Sequence, residues 1–257
     1  MNNYRLTIQY DGSRYNGWQR LNDTDNTIEQ ILTDAIIKST GEKTKLIGSG
    51  RTDAGVHALA QTANFRCRQR LDEMHFTEEL NSMLPEDIRV NLTKRVPPDF
   101  HSRHSATGKY YVYRIETSEP ANPFRRRYSW KPDGIPDVKL MCEAAQRMIG
   151  KHDFKAFCTD AKLMPYTVKT VYGINIHKDY SCLWNREEPG IIELEFHGSG
   201  FLYNMVRIIT GTLVEVGLGK KQPGDIAGII EKGDRQNAGH TAPAEGLYLV
   251  RVYYENF

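Results

Sequence analysis

The stretch Gly48-Ser-Gly-Arg-Thr-Asp-Ala-Gly-Val-His-Ala58 constrains this chain more than any other. Glycines at 48, 50 and 55 let the backbone turn tightly and let a neighbouring group approach without meeting a Cβ. Lys45–Ile47 before it reads as a short strand and Leu59–Phe65 after it as the next. The loop between them carries one carboxylate, Asp53, with Arg51 two residues before and His57 four after. An Asp in such a loop is ordinarily a turn or helix-cap residue, so a chemical role needs support from elsewhere.

The pattern around the loop is regular. Tyr4 to Tyr10 alternates as a strand and ends at Asp11-Gly12-Ser13. Thr27 then caps a helix whose apolar stripe is Ile28, Ile31, Leu32, Ala35 and Ile36. A helix around Thr77–Met83 and a strand around Ile88–Leu92 complete a β-α-β-β-α-β order, the signature of a ferredoxin-like unit. The second half is similar but less clear. Strands are expected at Tyr110–Ile115, Thr170–His177, Ile191–Phe196 and Leu247–Tyr253, with helices over Val138–Ile149 and Phe201–Val216. Residues 179–190 read as a polar loop. The expected class is α+β: two ferredoxin-like or RRM-like halves, 1–105 and 106–257, forming a largely antiparallel mixed sheet flanked by helices, with an active-site cleft between them.

A chain of 257 residues can bury a real core in either half, and 26% charged residues fit a soluble protein. No apolar run approaches the ~20 residues that span a bilayer. MNNYRLTIQYDG enters a strand pattern without an apolar leader. The cysteines at 67, 142, 158 and 182 form no CxxC pair. That spacing argues against zinc and fits reduced thiols in a cytoplasm. The net charge of +2 hides an uneven distribution, because residues 89–127 hold nine Lys/Arg against three acids. Arg66-Cys-Arg-Gln-Arg70 adds three more cations. Any one run could be a solvated face, but two runs interleaved with aromatics lean toward nucleic acid.

Two further segments carry candidate chemistry. In Lys109-Tyr-Tyr-Val-Tyr-Arg114, Tyr111 and Tyr113 share one strand face. Such rings are usually core, yet a base can stack on one that faces a cleft. Phe201–Val216 is apolar nearly all round except for Asn204, Arg207 and Gly211, which form one narrow stripe. A guanidinium on a buried helix needs an anionic partner or a phosphate. A structural salt bridge is one reading; the other is a pairing with Asp53 that holds the carboxylate ionised and aimed. GxGxxG fails at 48–53 because its last position is Asp53, and no phosphate loop or HExxH occurs. Chemistry without nucleotide, redox cofactor or metal is expected.

Taken together, these residues resemble the TruA family of transfer-RNA pseudouridine synthases. The resemblance runs nearly end to end. It includes Tyr10-Asp-Gly-Ser-Arg-Tyr-Asn-Gly-Trp-Gln19, Gly50-Arg-Thr-Asp-Ala-Gly-Val-His-Ala58 and Phe100-His-Ser-Arg-His-Ser-Ala-Thr107. It continues in Gly150-Lys-His-Asp-Phe154, Phe201 with Met205-Val-Arg207, and Ala242-Pro-Ala-Glu-Gly-Leu247. Tyr203-Asn204 depart from it, standing where the family is more basic. The resemblance implies Asp53 as catalytic aspartate, Tyr111 stacking on the target base, Arg207 pairing with the aspartate, and Arg51 filling the stack after the nucleotide flips out. It also implies uridines 38, 39 and 40 of the anticodon stem-loop as substrate and a cytoplasmic homodimer. A non-catalytic RNA-binding module and a glycoside-cleaving enzyme are the alternatives, the latter weakened by the lack of a second acid in the loop.

Overall fold

The computed structural model describes residues 1–164 and 166–255. The fold is α+β, and the chain forms two compact units, 1–107 with 248–257, and 108–247. The division differs from a single cut after residue 105. The closing strand (β9, Leu247–Tyr253) runs parallel to a strand of the first unit, pairing Tyr248 with His57 and Leu249 with Ala58. Among the described residues no helix is long and apolar enough to cross a membrane.

The first unit has the expected element order: β1 (Asn2–Tyr10), α1 (Ile28–Thr40), β2 (Ile47–Gly48), β3 (His57–Cys67), α2 (Glu73–Met83) and β4 (Ile88–Val96). β1 lies between β4 and β3, antiparallel to both. The period-2 pattern seats Tyr4, Leu6 and Ile8 beneath the helices, where they are fully buried with Phe65, Ile28, Leu32 and Ile36. Each such side chain contributes roughly 1.5–3 kcal/mol by leaving water. Thr27 caps α1 by accepting the Gln30 N–H, and Gly41 ends it in the left-handed region at φ 69°.

One edge of β3 is shared by two short partners. β2 covers it at Ala63 and Asn64, and β9 covers it at His57 and Ala58. Between these two pairings the chain lifts off the sheet as the glycine-rich loop. The loop is therefore anchored at both ends by the same strand.

The second unit contains β5 (Gly108–Glu116), α3 (Val138–Gln146), β6 (Gly150–Asp153), β7 (Val168–Ser181), β8 (Arg186–Gly198), α4 (Met205–Gly217) and α5 (Asp225–Lys232). Its strands run in the order β5-β8-β7-β6, each pair antiparallel. Residues 179–190 are not a loop. β7 and β8 form a hairpin in which Tyr180 pairs with Glu187 and Ser181 with Arg186. Its polar cross-strand pairs carry no apolar alternation, so the sequence gives no strand signal there. The turn is fixed by fully buried Glu193, which accepts the N–H groups of Cys182 at 2.7 Å and Leu183 at 3.3 Å. The helix expected over Phe201–Val216 begins only at Met205, because Asn204 adopts φ 61°.

Candidate active site

The glycine-rich loop is held by backbone contacts that only small residues permit. A Cβ on Gly48 would meet the Trp18 ring at 2.6 Å, and one on Gly17, itself at φ 86°, would meet the Thr52 carbonyl at 2.6 Å. The Thr52 carbonyl accepts the Trp18 N–H at 3.0 Å. Ser49 is tied to β3 by its N–H on the Thr62 carbonyl and by its hydroxyl on Gln61, whose amide donates back to the Gly50 carbonyl. Tyr10 closes the floor with its hydroxyl 2.8 Å from Thr52 Oγ1, and burial pushes that phenol up to about 12.

Asp53 sits at the crest, half-buried. Its carbonyl accepts the Val56 N–H at 3.2 Å, and Gly55 at φ 82° completes the turn. The element that follows is β3, so Asp53 caps no helix. That removes one of its two ordinary roles. His57 is buried behind the loop, stacked on Tyr248 with ring centroids 4.8 Å apart. Its Nδ1 accepts the Gly12 N–H at 3.1 Å and lies 3.2 Å from Asp11 Oδ1. Arg51 is exposed and donates from Nε to Gln19, which in turn donates to Glu29. A short relay from α1 thus holds the Arg51 stem.

In the second unit Tyr111 and Arg207 both lie near the start of α4. The Tyr111 ring meets Phe201 edge-on at 5.3 Å and is 7% exposed. Tyr113, on the same face, is structural: it is fully buried and donates to the Pro243 carbonyl at 2.7 Å. Burial pushes its phenol well above the ordinary value. Arg207 donates from Nε to the Ala242 carbonyl at 2.7 Å and from Nη1 to Asn204 Oδ1 at 2.8 Å. Asn204 is itself held by Thr159, to whose hydroxyl its amide donates at 3.0 Å. The stripe of Asn204, Arg207 and Gly211 now has a packing reason. It faces the segment around 240–242, where a Cβ on Gly211 would lie 2.0 Å from the His240 carbonyl oxygen. Asn204, already part of the polar stripe, and Ala242 position the guanidinium; the role of Ala242 could not be read from spacing, because it lies 35 residues from Arg207.

The basic span divides into two kinds of cation. Arg114 is buried and lies 2.6 Å from Glu188 and 2.9 Å from Glu193. Arg125 reaches Glu116 and Glu188. Those two cations serve the fold, correcting the view that the whole span faces a ligand. Lys94, Arg95, Arg103, Arg126 and Arg127 are exposed, as is Phe124 at 85%.

Known proteins resemble the chain along its whole length. The model of the tRNA pseudouridine synthase family matches residues 6–105 and 144–255. A tRNA pseudouridine synthase A 2 of Clostridium tetani is 44% identical over 253 residues, covering 98% of each chain. A Bacillus anthracis protein of the same name is 42% identical over 99% of this chain and 100% of its own. The tRNA pseudouridine synthase A of Acetivibrio thermocellus is also 42% identical over the same shares. The Asp53 loop and the Arg207 helix both fall inside the matched ranges, whereas Tyr111 lies between them. With relatives matched over nearly its whole length, the chain belongs to the tRNA pseudouridine synthase family, whose members isomerise uridine within transfer RNA.

Proposed function

We propose that this protein converts uridine to pseudouridine at positions 38, 39 and 40 of the anticodon stem-loop, with Asp53 as the catalytic group. The N1–C1′ bond breaks, the uracil turns within the pocket, and C5 bonds to C1′. Substrate and product have the same atoms and oxidation state, so the reaction needs no co-substrate or redox partner. Positive, oxocarbenium-like character develops on the ribose, and a carboxylate beside C1′ stabilises or captures it. The observation that carries this reading is the loop itself. It presents one half-buried carboxylate on a turn closed by its own carbonyl on the Val56 N–H, between two pairings that fix both its ends.

Chemistry at a glycosidic bond inside a stem requires the nucleotide to leave the stack. Arg51, exposed and steadied at Nε by Gln19, is suited to occupy the gap. Tyr111 is proposed to stack on the extruded base, its ring oriented by Phe201. Arg207 is proposed to pair with Asp53, its fork aimed by Asn204 and Ala242. That dependence on a fork makes Arg207→Lys a discriminating change. It keeps the charge but loses the two-point anchoring, and kcat should fall about 10²-fold while transfer-RNA affinity changes little. Equal kcat in the Lys variant would remove Arg207 from the catalytic arrangement. Single-turnover assays on an unmodified transcript give both numbers.

The exposed cations Lys94, Arg95, Arg103, Arg126 and Arg127 suit a phosphate backbone, and a cytoplasmic homodimer would double their number. Each neutralised phosphate contributes a slope of roughly −0.7 to −0.9 in log affinity against log salt. Filter binding at several salt concentrations should give a slope of several units. Affinity that stays flat would remove these residues from the interface. The activity itself is tested by mapping pseudouridine in unmodified transfer RNA after incubation with pure protein, with free uracil measured in the same samples.

A further inference from the structure

A second group of chemically capable side chains lies away from the residues assigned above, on the face of the second unit's sheet that carries Tyr110, Arg114, Glu193 and Glu195. There His177, Cys182 and Glu195 each offer a ligand atom within 4.8 Å of the others. Strand register explains the convergence. His177 pairs with Glu193 and Asn175 with Glu195, so His177 and Glu195 are diagonal neighbours on one face. Cys182 follows the end of β7, where the turn bends back over that face. Its backbone N–H is held by Glu193, and its thiol lies 2.9 Å from the same carboxylate.

Two observations favour a cation at this cluster. His177 Nε2 is shielded from solvent yet has no aligned hydrogen-bond partner, although Glu195 Oε2 is only 3.3 Å away. A buried polar atom left in that state calls for an explanation, and an ion is one. The second observation is charge. Three carboxylates, Glu116, Glu188 and Glu193, share two guanidiniums, Arg114 and Arg125, while the ion pair of a fourth, Glu195, is with His177. The excess is negative, and burial makes it expensive. Glu195 is fixed on this face by hydrogen bonds donated by Tyr110 at 2.8 Å and Asn175 at 3.1 Å.

We propose that His177, Cys182 and Glu195 bind a zinc ion that ties the tip of the β7–β8 hairpin to the sheet. An imidazole, a thiolate and a carboxylate together suit a borderline-soft divalent ion. Bonds of ~2.0–2.3 Å in a tetrahedron place donors about 3.5 Å apart, so the ligand atoms must close by about an ångström. The His177 side chain is 34% exposed and Cys182 sits in a turn, so both have room to move. A water completes the fourth position on the open side. Binding replaces the Cys182 S–H with a metal–sulfur bond and releases that proton to solvent.

Cobalt(II) is the probe, added to the full-length protein after treatment with a chelator. One equivalent should give the visible bands of tetrahedral cobalt and a near-ultraviolet thiolate charge-transfer band, both displaced by zinc. Cys182→Ser should abolish the charge-transfer band and weaken zinc binding by at least about tenfold. His177→Gln, at a partly exposed position, should weaken binding similarly and serves if the serine variant folds poorly. Cys142→Ser should leave the titration unchanged. Absence of the thiolate band from the unaltered protein, or its survival in Cys182→Ser, would overturn the assignment.

Discussion

Asp53→Asn is expected to abolish pseudouridine formation while leaving transfer-RNA binding within a few-fold of normal. The two side chains have nearly the same size and differ in the charge that the developing ribose cation requires. Removing a group that acts directly on the reacting centre lowers kcat by on the order of 10⁴–10⁶. The loop should survive the change, because its turn is closed by the Asp53 carbonyl on Val56 N–H and by Gly55 at φ 82°. Three measurements on one preparation separate the readings: pseudouridine by chemical mapping, affinity by filter binding, and the thermal midpoint by circular dichroism. Modification that persists in the variant would end the assignment of Asp53. A protein that binds transfer RNA but modifies nothing, even unaltered, would be a non-catalytic RNA-binding module. Release of free uracil would point instead to glycoside cleavage.

How much of this could be seen in the sequence depends on whether the controlling contact was local. Thr27 and its apolar stripe gave α1 with its cap, since both the cap and the periodicity act within one or two turns. Leu247–Tyr253 was legible for the same reason, but its parallel seat on β3 was not. The 179–190 hairpin was missed because polar pairs hold it and Glu193 fixes its turn from the neighbouring strand. Arg114 and Arg125 counted as ligand-facing until their carboxylates appeared across the sheet. α5 was missed as a short helix between Gly224 and Gly233, with Ile226 and Ile229 as its buried anchors. At the candidate site, the residue types in the Gly48–Ala58 stretch pointed to the loop. What aims its carboxylate is set by distant partners, Gly12 and Trp18 among them, and no spacing rule reports those.

Gly12→Ala is expected to lower both stability and activity, although residue 12 is itself assigned no part in the chemistry. A Cβ there would lie 2.0 Å from the Val56 carbonyl oxygen, 2.6 Å from its carbon and 3.1 Å from its nitrogen. All three atoms are backbone, so no side chain can swing aside, and the two segments must separate by more than an ångström. Overpacking of this kind costs about 1–3 kcal/mol, which corresponds to a fall of roughly 2–12 °C in Tm for a protein of this size. The same separation weakens the 3.1 Å hydrogen bond from Gly12 N–H to His57. It also pulls on Val56, whose N–H closes the Asp53 turn. A carboxylate displaced by about 1 Å loses on the order of 10²-fold in kcat, so the variant should be slow even well below its melting point. Gly228→Ala is the matched control, since a Cβ there meets nothing within 4 Å and the site lies within α5. Helix propensity favours Ala over Gly by up to ~1 kcal/mol, so that variant should melt no lower and turn over normally. If Gly12→Ala melted and turned over like the control, the close approach beneath Asp53 would not be what positions it.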